Sequence, residues 1–321
     1  QIPGYLQLMS DLKNEQAFSV ATISPLKTLA YEGASALFYS LVDDVKDAVL
    51  NHPLRLAISF GKDSTLLLAV FVEAYRQLIA NGHKPFAPLL VTHADTRIES
   101  PVMSAYAKRQ IKLLRDYLAH WDIPHEIYTA KPADRYSWPV LFIGGLKLLT
   151  VGASATADCS IELKQRPLQS LESKLIKRYG SKIVTVTGVR MDESSERKKT
   201  ITELGLNTAQ IIKYEKNGII SYDYAPLANI QTDEIWMMLR CLGEGAKREY
   251  GDSLPFWDFS TWYLSKLYAD QTDSCPIVGT GALSTAKSGG CSSSLRSGCS
   301  LCTTVSVDKQ SQVLSDLAQY P

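Results

Sequence analysis

Residues 59–65 read SFGKDST. Three hydroxyls, a glycine, a cation and an acid fall within seven positions between two apolar runs. At a strand-to-helix turn this composition suits phosphate. The first N–H groups of a helix lack internal partners and sit at the positive end of its dipole. Gly61 lets the backbone come close to a ligand. Ser59, Ser64 and Thr65 offer hydroxyl donors, and Lys62 adds a charge. The stretch is not a Walker A loop, which would need Gly where Leu56 stands and Ser or Thr where Asp63 stands. An acid beside phosphate repels it unless a cation mediates, so Asp63 predicts Mg²⁺ bridging. The plainer alternative is a capped turn with a convenient glycine.

Two further stretches share the character. VTHADTRIESP (91–101) carries His93, Asp95 and Thr96, and TGVRMDESSER (187–197) carries Gly188, Arg190, Asp192, Glu193, Ser194 and Arg197. Arginines there can grip a pyrophosphate bidentately. Taken singly, His93 also fits a hydrogen-bonded structural histidine and Arg190 a surface ion pair. A fourth grouping is sulfur: Cys275, Cys291, Cys299 and Cys302, spaced C-x₁₅-C-x₇-C-x₂-C within a Gly- and Ser-rich stretch. The pair CSLC (299–302) can turn both thiolates toward one ion. The spacing fits structural Zn²⁺ or a [4Fe–4S] cluster, with disulfides as a third reading. Cys159 precedes an expected helix start, where a reactive or an inert thiol fits equally. Cys241 sits on an apolar helix face and reads as core.

The elements that must position these residues follow from periodicity. Helices are expected at 36–50, 64–80, 100–121, 139–149, 162–179 and 232–243, the last opening with a Thr cap at Thr232. Strands are expected at 54–60, 87–94, 125–130 and 182–189. A hairpin around Asn217-Gly218 is expected within 211–227. Alternating strands and helices imply an α/β fold with a parallel, doubly wound sheet and ligands at the strands' carboxyl ends. All three polar stretches fall there.

The 321 residues are 45% hydrophobic and 21% charged, with formal net charge +1. Bulk charge therefore does not mark a nucleic-acid binder, although ERKK (196–199) and SKLIKR (173–178) are local candidates for phosphate or plain solvated faces. No apolar run is long enough to span a bilayer, and the start at Gln1 has no signal-peptide pattern and points to a trimmed N-terminus. A cytoplasmic protein with no membrane partner is expected.

SFGKDS resembles the SGGxDS loop of ATP pyrophosphatases of the adenine-nucleotide α-hydrolase (PP-loop) type. HADTRIESP resembles the H-x-D-T-G-x-E-x-P segment of their PAPS reductase branch, and GVRMDESSER its G-x-R-x-x-E-S-x-x-R segment. CSIELKQRPL (159–168) and PLANIQTDEIW (226–236) resemble two more segments of that branch, in the same order. Phe60 replaces the first loop glycine, where it would narrow the phosphate approach. Arg97 replaces the glycine of DTG, where it would add a phosphate contact. The cysteine tail resembles that of the DndC/SspD family of bacterial DNA phosphorothioation systems.

That resemblance implies three regions: an N-terminal helical region (1–53), a PAPS-reductase-like ATP pyrophosphatase domain (54–250) and a cysteine-rich iron–sulfur segment (251–321). It implies conversion of ATP to AMP and pyrophosphate to activate a DNA phosphate for sulfur incorporation. Lys62, Asp63, Asp95, Arg190 and Arg197 would carry the chemistry. Ser59, Phe60, Gly61, Ser64, Thr65, His93, Thr96, Gly188, Glu193 and Ser194 would bind the nucleotide. The implied cofactors are ATP, Mg²⁺ and a [4Fe–4S] cluster on the four cysteines, or Zn²⁺ in its place. The implied partners are DNA, a cysteine desulfurase as sulfur donor and other phosphorothioation subunits. Sulfonucleotide reduction, tRNA thiolation and a zinc-stapled DNA-binding subunit are the alternatives.

Overall fold

A computed structural model describes residues 20–148, 158–193, 195–216, 219–258, 261 and 264. Six strands form one sheet: β1 (Leu54–Ala57), β2 (Leu89–Ala94), β3 (His125–Ala130), β4 (Val184–Val186), β5 (Ile212–Lys216) and β6 (Ile219–Tyr224), in the order β3-β2-β1-β4-β6-β5. All neighbours pair in parallel except β5 with β6, which pair antiparallel as the predicted hairpin. This is the expected α/β doubly wound class.

The chain winds from β1 through β2 to β3 in one direction and continues from β4 to β6 in the other. The order reverses between β1 and β4, and the crevice above that point is where such sheets bind ligands. Right-handed crossovers then put the first two connecting helices on one face and the next on the opposite face. Helices α1 (Val20–Asn51), α2 (Lys62–Ala80), α3 (Pro101–His120) and α6 (Thr232–Arg240) share one apolar core with Leu54, Leu56, Leu89, Val91, Val184 and Val186. Helix α4 (Arg166–Tyr179) covers the other face, where Leu175 packs on Leu90 and Ile183. The described part of the N-terminal helical region, through Phe38, Val42 and Val45, belongs to the same core as the sheet.

Side chains alternate faces along a strand. Leu54 and Leu56 meet α1 and α2, so Arg55 between them is committed to the α4 side. It stands in register with Thr185, which is in register with Asp223. All three are buried. Arg55 donates to Thr185 Oγ1 at 2.7 Å and to Glu172 of α4 at 3.1 Å. Burial pushes the Asp223 carboxyl up to about 7, against the Tyr214 hydroxyl, which donates to it at 3.1 Å.

Several sequence-based boundaries shift for local reasons. Strand 54–60 is shortened to Leu54–Ala57; the Ile58 N–H still donates to the Thr92 carbonyl at 2.9 Å, and the left-handed residue Phe60 (φ 60°) then turns the chain away. The helix expected at 139–149 is one π-helical turn, Pro139–Ile143, closed by Gly144 and by Gly145 at φ 73°. The run expected at 162–179 begins earlier, at Asp158, and passes through a π-helical turn, Ile161–Gln165, into α4. Thr232 is not the cap of α6. Gln231 is, in a capping box with Glu234, which frees the Thr232 hydroxyl for other partners. Helices α5 (Ser195–Glu203) and α7 (Gly243–Tyr250) complete the order.

Candidate active site at the sheet's carboxyl rim

The turn after β1 is braced by its own hydroxyls. Ser59 Oγ and Ser64 Oγ lie 3.0 Å apart, and Ser64 Oγ donates to the Gly61 carbonyl at 3.2 Å. Gly61 is the N-cap of α2 in an extended conformation, so the helix starts at Lys62, two residues before the expected start near Ser64. The first turn of α2 therefore carries Lys62, Asp63 and Ser64, with its N–H groups at the carboxyl rim of the sheet. Thr65 Oγ1 is buried with no hydrogen-bond partner among the described residues.

Phe60 is fully buried, and its ring lies 5.3 Å from that of His93. It does not narrow the phosphate approach, because the side chain points into the core and leaves the backbone to face the rim. His93, the last residue but one of β2, has Nδ1 3.0 Å from the Ile58 carbonyl. A carbonyl only accepts, so Nδ1 carries the proton and donates. Burial holds the imidazole below its usual pKa, outweighing the Ile58 carbonyl and Asp95.

Asp95 follows at the same rim. Burial pushes its carboxyl up, but the Arg97 N–H at 3.0 Å and Lys131 at 3.2 Å outweigh this and hold it below the usual range. Its neighbour Glu99 is raised, first by burial, and accepts the Thr96 N–H at 3.0 Å. Arg97 has φ 64° and pairs with Asp134 at 2.6 Å on the surface. The phosphate contact expected of Arg97 is thus replaced by an ion pair directed at Asp134.

The turn after β4 closes onto the first. A Cβ on Gly188 would lie 3.2 Å from the Asp63 carbonyl carbon and oxygen and 3.4 Å from the Ser64 nitrogen. Any side chain there would have to push the two backbones apart by a few tenths of an ångström. Two residues on, Arg190 is fully buried and donates Nε to Asp63 Oδ1 at 2.6 Å. Lys62 Nζ stands 3.3 Å from the other oxygen, Asp63 Oδ2. Arg190 Nη1 reaches the Ile230 carbonyl at 3.2 Å, Thr232 Oγ1 at 3.1 Å and Asp192 at 3.4 Å. Its Nη2 is buried with no hydrogen-bond partner among the described residues.

The rim therefore presents positive charge and donors: the first turn of α2, the buried Thr65 hydroxyl, Lys62 and the unspent Nη2 of Arg190. That set fits phosphate. It fits the expected metal less well. Both Asp63 oxygens are engaged by cations, and the described residues hold no group of three or more His, Cys, Asp or Glu placed to bind an ion. A metal on Asp63 would have to displace Lys62 or Arg190.

The structure joins Ser59, Phe60, Gly61, Lys62, Asp63, Ser64, His93, Gly188 and Arg190 through direct contacts. Asp95 and Thr96 share their rim. Arg197 pairs with Glu193, four residues before it. Ser194, Cys275, Cys291, Cys299 and Cys302 lie outside the described residues. Cys159 lies within the helical run rather than before it, packed with Trp138 and Phe142 against Ile98, Leu141 and Leu163. Cys241 is buried, and burial pushes its thiol up to about 12, as suits an inert core thiol. Sequence reasoning missed Thr232 and the Ile230 carbonyl as anchors of Arg190. Their signal was present in NIQTDE but read as a helix cap alone.

No protein-family model matches the chain, and no curated protein matches it. Among solved structures it is similar to FMN adenylyltransferase from Candida glabrata, with 13% identity, 69% of this chain and 68% of that one covered, and TM-score 0.38. It is similar to the U34-tRNA thiolase NcsA from Methanococcus maripaludis, with 12% identity, 64% and 63% covered, and TM-score 0.36. It is similar also to NMN synthetase from Francisella tularensis, with 11% identity, 75% and 88% covered, and TM-score 0.37. No helix among the described residues is long and apolar enough to cross a membrane.

Proposed function

We propose that this chain is an ATP pyrophosphatase that activates a phosphate oxygen of DNA for sulfur incorporation. One observation carries the nucleotide part: the Asp63–Arg190 contact of 2.6 Å, which draws the turn after β4 onto the phosphate-type turn after β1. It supports a single crevice at the switch point, with buried cations on both sides of it. The sequence resemblance supplies the rest, namely DNA as acceptor, a cysteine desulfurase as sulfur donor, partner subunits of a phosphorothioation system and a cysteine-bound cluster in the tail.

In this reading the acceptor oxygen attacks the α-phosphorus of ATP, which enters as its Mg²⁺ complex. The bond from the α-phosphorus to the bridging oxygen breaks, and pyrophosphate leaves with that electron pair. Lys62, Arg190 and the first-turn N–H groups of α2 are already in place for the departing charge, so little reorganisation is needed as it develops. AMP then occupies the acceptor oxygen and is the group a sulfur nucleophile displaces. Asp63 sets the position of Lys62 and Arg190. The turn with Asp95 and Thr96 flanks the nucleotide.

The test is product identification from ATP, with and without DNA, for wild type and Asp63→Ala. Wild type should release AMP and pyrophosphate. Asp63→Ala, confirmed folded by its melting curve, should lose most of that release. Orthophosphate and ADP as products, or normal turnover in the variant, would remove the assignment. Metal analysis and visible absorption of anaerobically purified protein test the tail separately.

A further inference from the structure

Arg190 is flanked by two carboxylates, yet it is bidentate to neither. Asp63 Oδ1 accepts Nε at 2.6 Å, and the other oxygen, Oδ2, is taken by Lys62 at 3.3 Å. Asp192 offers a single contact, Oδ2 to Nη1, at 3.4 Å. A carboxylate and a guanidinium frequently close into two parallel bonds, which is the stronger arrangement. Here neither acid does so, and Nη2 stays buried with no hydrogen-bond partner among the described residues. Nη2 is by convention the terminal nitrogen on the Nε–H edge of the guanidinium. That edge is the one turned to Asp63 and the first turn of α2.

Thr232 stands between the second acid and the guanidinium. Its hydroxyl accepts Arg190 Nη1 at 3.1 Å and donates to Asp192 Oδ2 at 2.7 Å. Its N–H donates to the same oxygen at 3.0 Å. The Thr232 hydroxyl is also the chief reason the Asp192 carboxyl stays below its usual range. The two charged partners differ in their freedom. Arg190 is fully buried and tied at Nε to Asp63 and at Nη1 to the Ile230 carbonyl, whereas the Asp192 side chain is 41% exposed and has room to turn. Without the hydroxyl, Asp192 is the group that moves, and Nη2 is the donor left for it to take.

We propose that Thr232 is a positioning residue: it holds Asp192 off Arg190 and so reserves Nη2 for a phosphate in the crevice. The inference deepens the pyrophosphatase reading and rests on it for the phosphate that Nη2 serves. The acid is thereby kept as an anchor of the guanidinium instead of its competitor ligand.

Titration calorimetry with inorganic pyrophosphate tests this on wild type, Thr232→Val, Thr232→Ser, Asp192→Asn and the double variant Thr232→Val/Asp192→Asn, each confirmed folded by its melting curve. Thr232→Val should bind about tenfold more weakly, the loss of one charge-assisted bond. Thr232→Ser keeps the hydroxyl and should bind as wild type does. Asp192→Asn should restore most of the lost affinity in the valine variant and change wild type little, a coupling that a merely structural threonine would not produce. Where valine unsettles the start of α6, Thr232→Ala reads the same loss. An equal gain from Asp192→Asn in both backgrounds is plain removal of a negative charge and overturns the proposal. So does a double variant as weak as Thr232→Val, wild-type affinity in Thr232→Val, or no pyrophosphate binding by wild type. AMP release from ATP scores the functional reading apart. If wild type makes no AMP yet the rescue holds, the pyrophosphatase reading fails and the positioning role stands. AMP release without the rescue has the reverse meaning.

Discussion

Phe60, in the turn after β1, and Arg97, in the turn after β2, hold φ at 60° and 64°. A side chain in that region costs about 1–2 kcal/mol. Both stand where the resembled motifs carry glycine, the residue that adopts this conformation freely. The two turns hold it by opposite means. Phe60 is fully buried against His93. Arg97 is exposed and held by Asp134 and by its own N–H on Asp95. A strained position fastened by packing is fixed, because moving it would open the core. One fastened by a surface ion pair stays adjustable, since such pairs contribute about 0–1 kcal/mol. The inner turn, at the proposed phosphate position, is thereby rigid, and the outer turn, beside the proposed nucleotide, can give.

The largest effect should come from removing the inner anchor. Phe60→Ala should cost about 3–5 kcal/mol in chemical denaturation, as for other buried Phe truncations. Phe60→Gly should recover about 1 kcal/mol of that loss, because the left-handed strain goes. The order Phe, Gly, Ala is the signature of a ring that stabilises a strained backbone. If Ala is as stable as Gly, the strain at residue 60 is not real. If either substitution costs less than about 1 kcal/mol, packing is not what fastens this turn.

This division was only partly legible in the sequence. The winding and the carboxyl-rim placement of the polar stretches could be read, because apolar runs bounded by turn residues fix strand and helix order. The partners of Arg190 could not. Asp63 and Arg190 stand 127 positions apart, and nothing in a periodic pattern says which acid a buried arginine will meet. The fate of Phe60 was hidden for a related reason. A large residue in a phosphate-type loop looks like an obstruction until the left-handed φ sends its ring inward. Gln231 displaced Thr232 as the cap of α6 because Thr232 is taken by Asp192 and Arg190, a tertiary preference that local rules do not see. Arg55 was read as part of an apolar strand, and only the period of two reveals that it must lie under α4 beside Thr185 and Asp223.

The second effect distinguishes the turns by acid. His93 is neutral in the fold because burial lowers its pKa, while the unfolded chain titrates near the ordinary value of about 6.5. Above that value neither state binds the proton and nothing is lost. Below it the unfolded state takes the proton and the folded state does not, so stability falls as pH drops. The slope is at most about 1.4 kcal/mol per pH unit. Asp223, its folded pKa raised to about 7, works the other way, adding stability as pH falls from about 7. The comparison is therefore wild type against His93→Gln, each measured from pH 7.5 to 5.0, roughly spanning the reference value. The variant should lose less stability on acidification. Identical slopes would mean that the imidazole backing Phe60 is open to water.

The smallest effect belongs to the outer turn and tests the comparison from its weak side. Arg97→Gly relieves about 1–2 kcal/mol of backbone strain. Against this, glycine adds about 0.5–1 kcal/mol of unfolded-state freedom, and the pair with Asp134 is lost at about 0–1 kcal/mol. The terms nearly cancel, so stability should stay within about 1 kcal/mol of wild type. Salt gives the sign. Raising ionic strength screens the exposed pair in wild type and has no pair to screen in the variant, so the difference should move in favour of glycine. The same substitution at residue 60 removes a buried ring and can only destabilise. A cost above about 2 kcal/mol for Arg97→Gly, unaltered by salt, would place that turn among the core-fastened ones, with an exposed guanidinium unable to account for it.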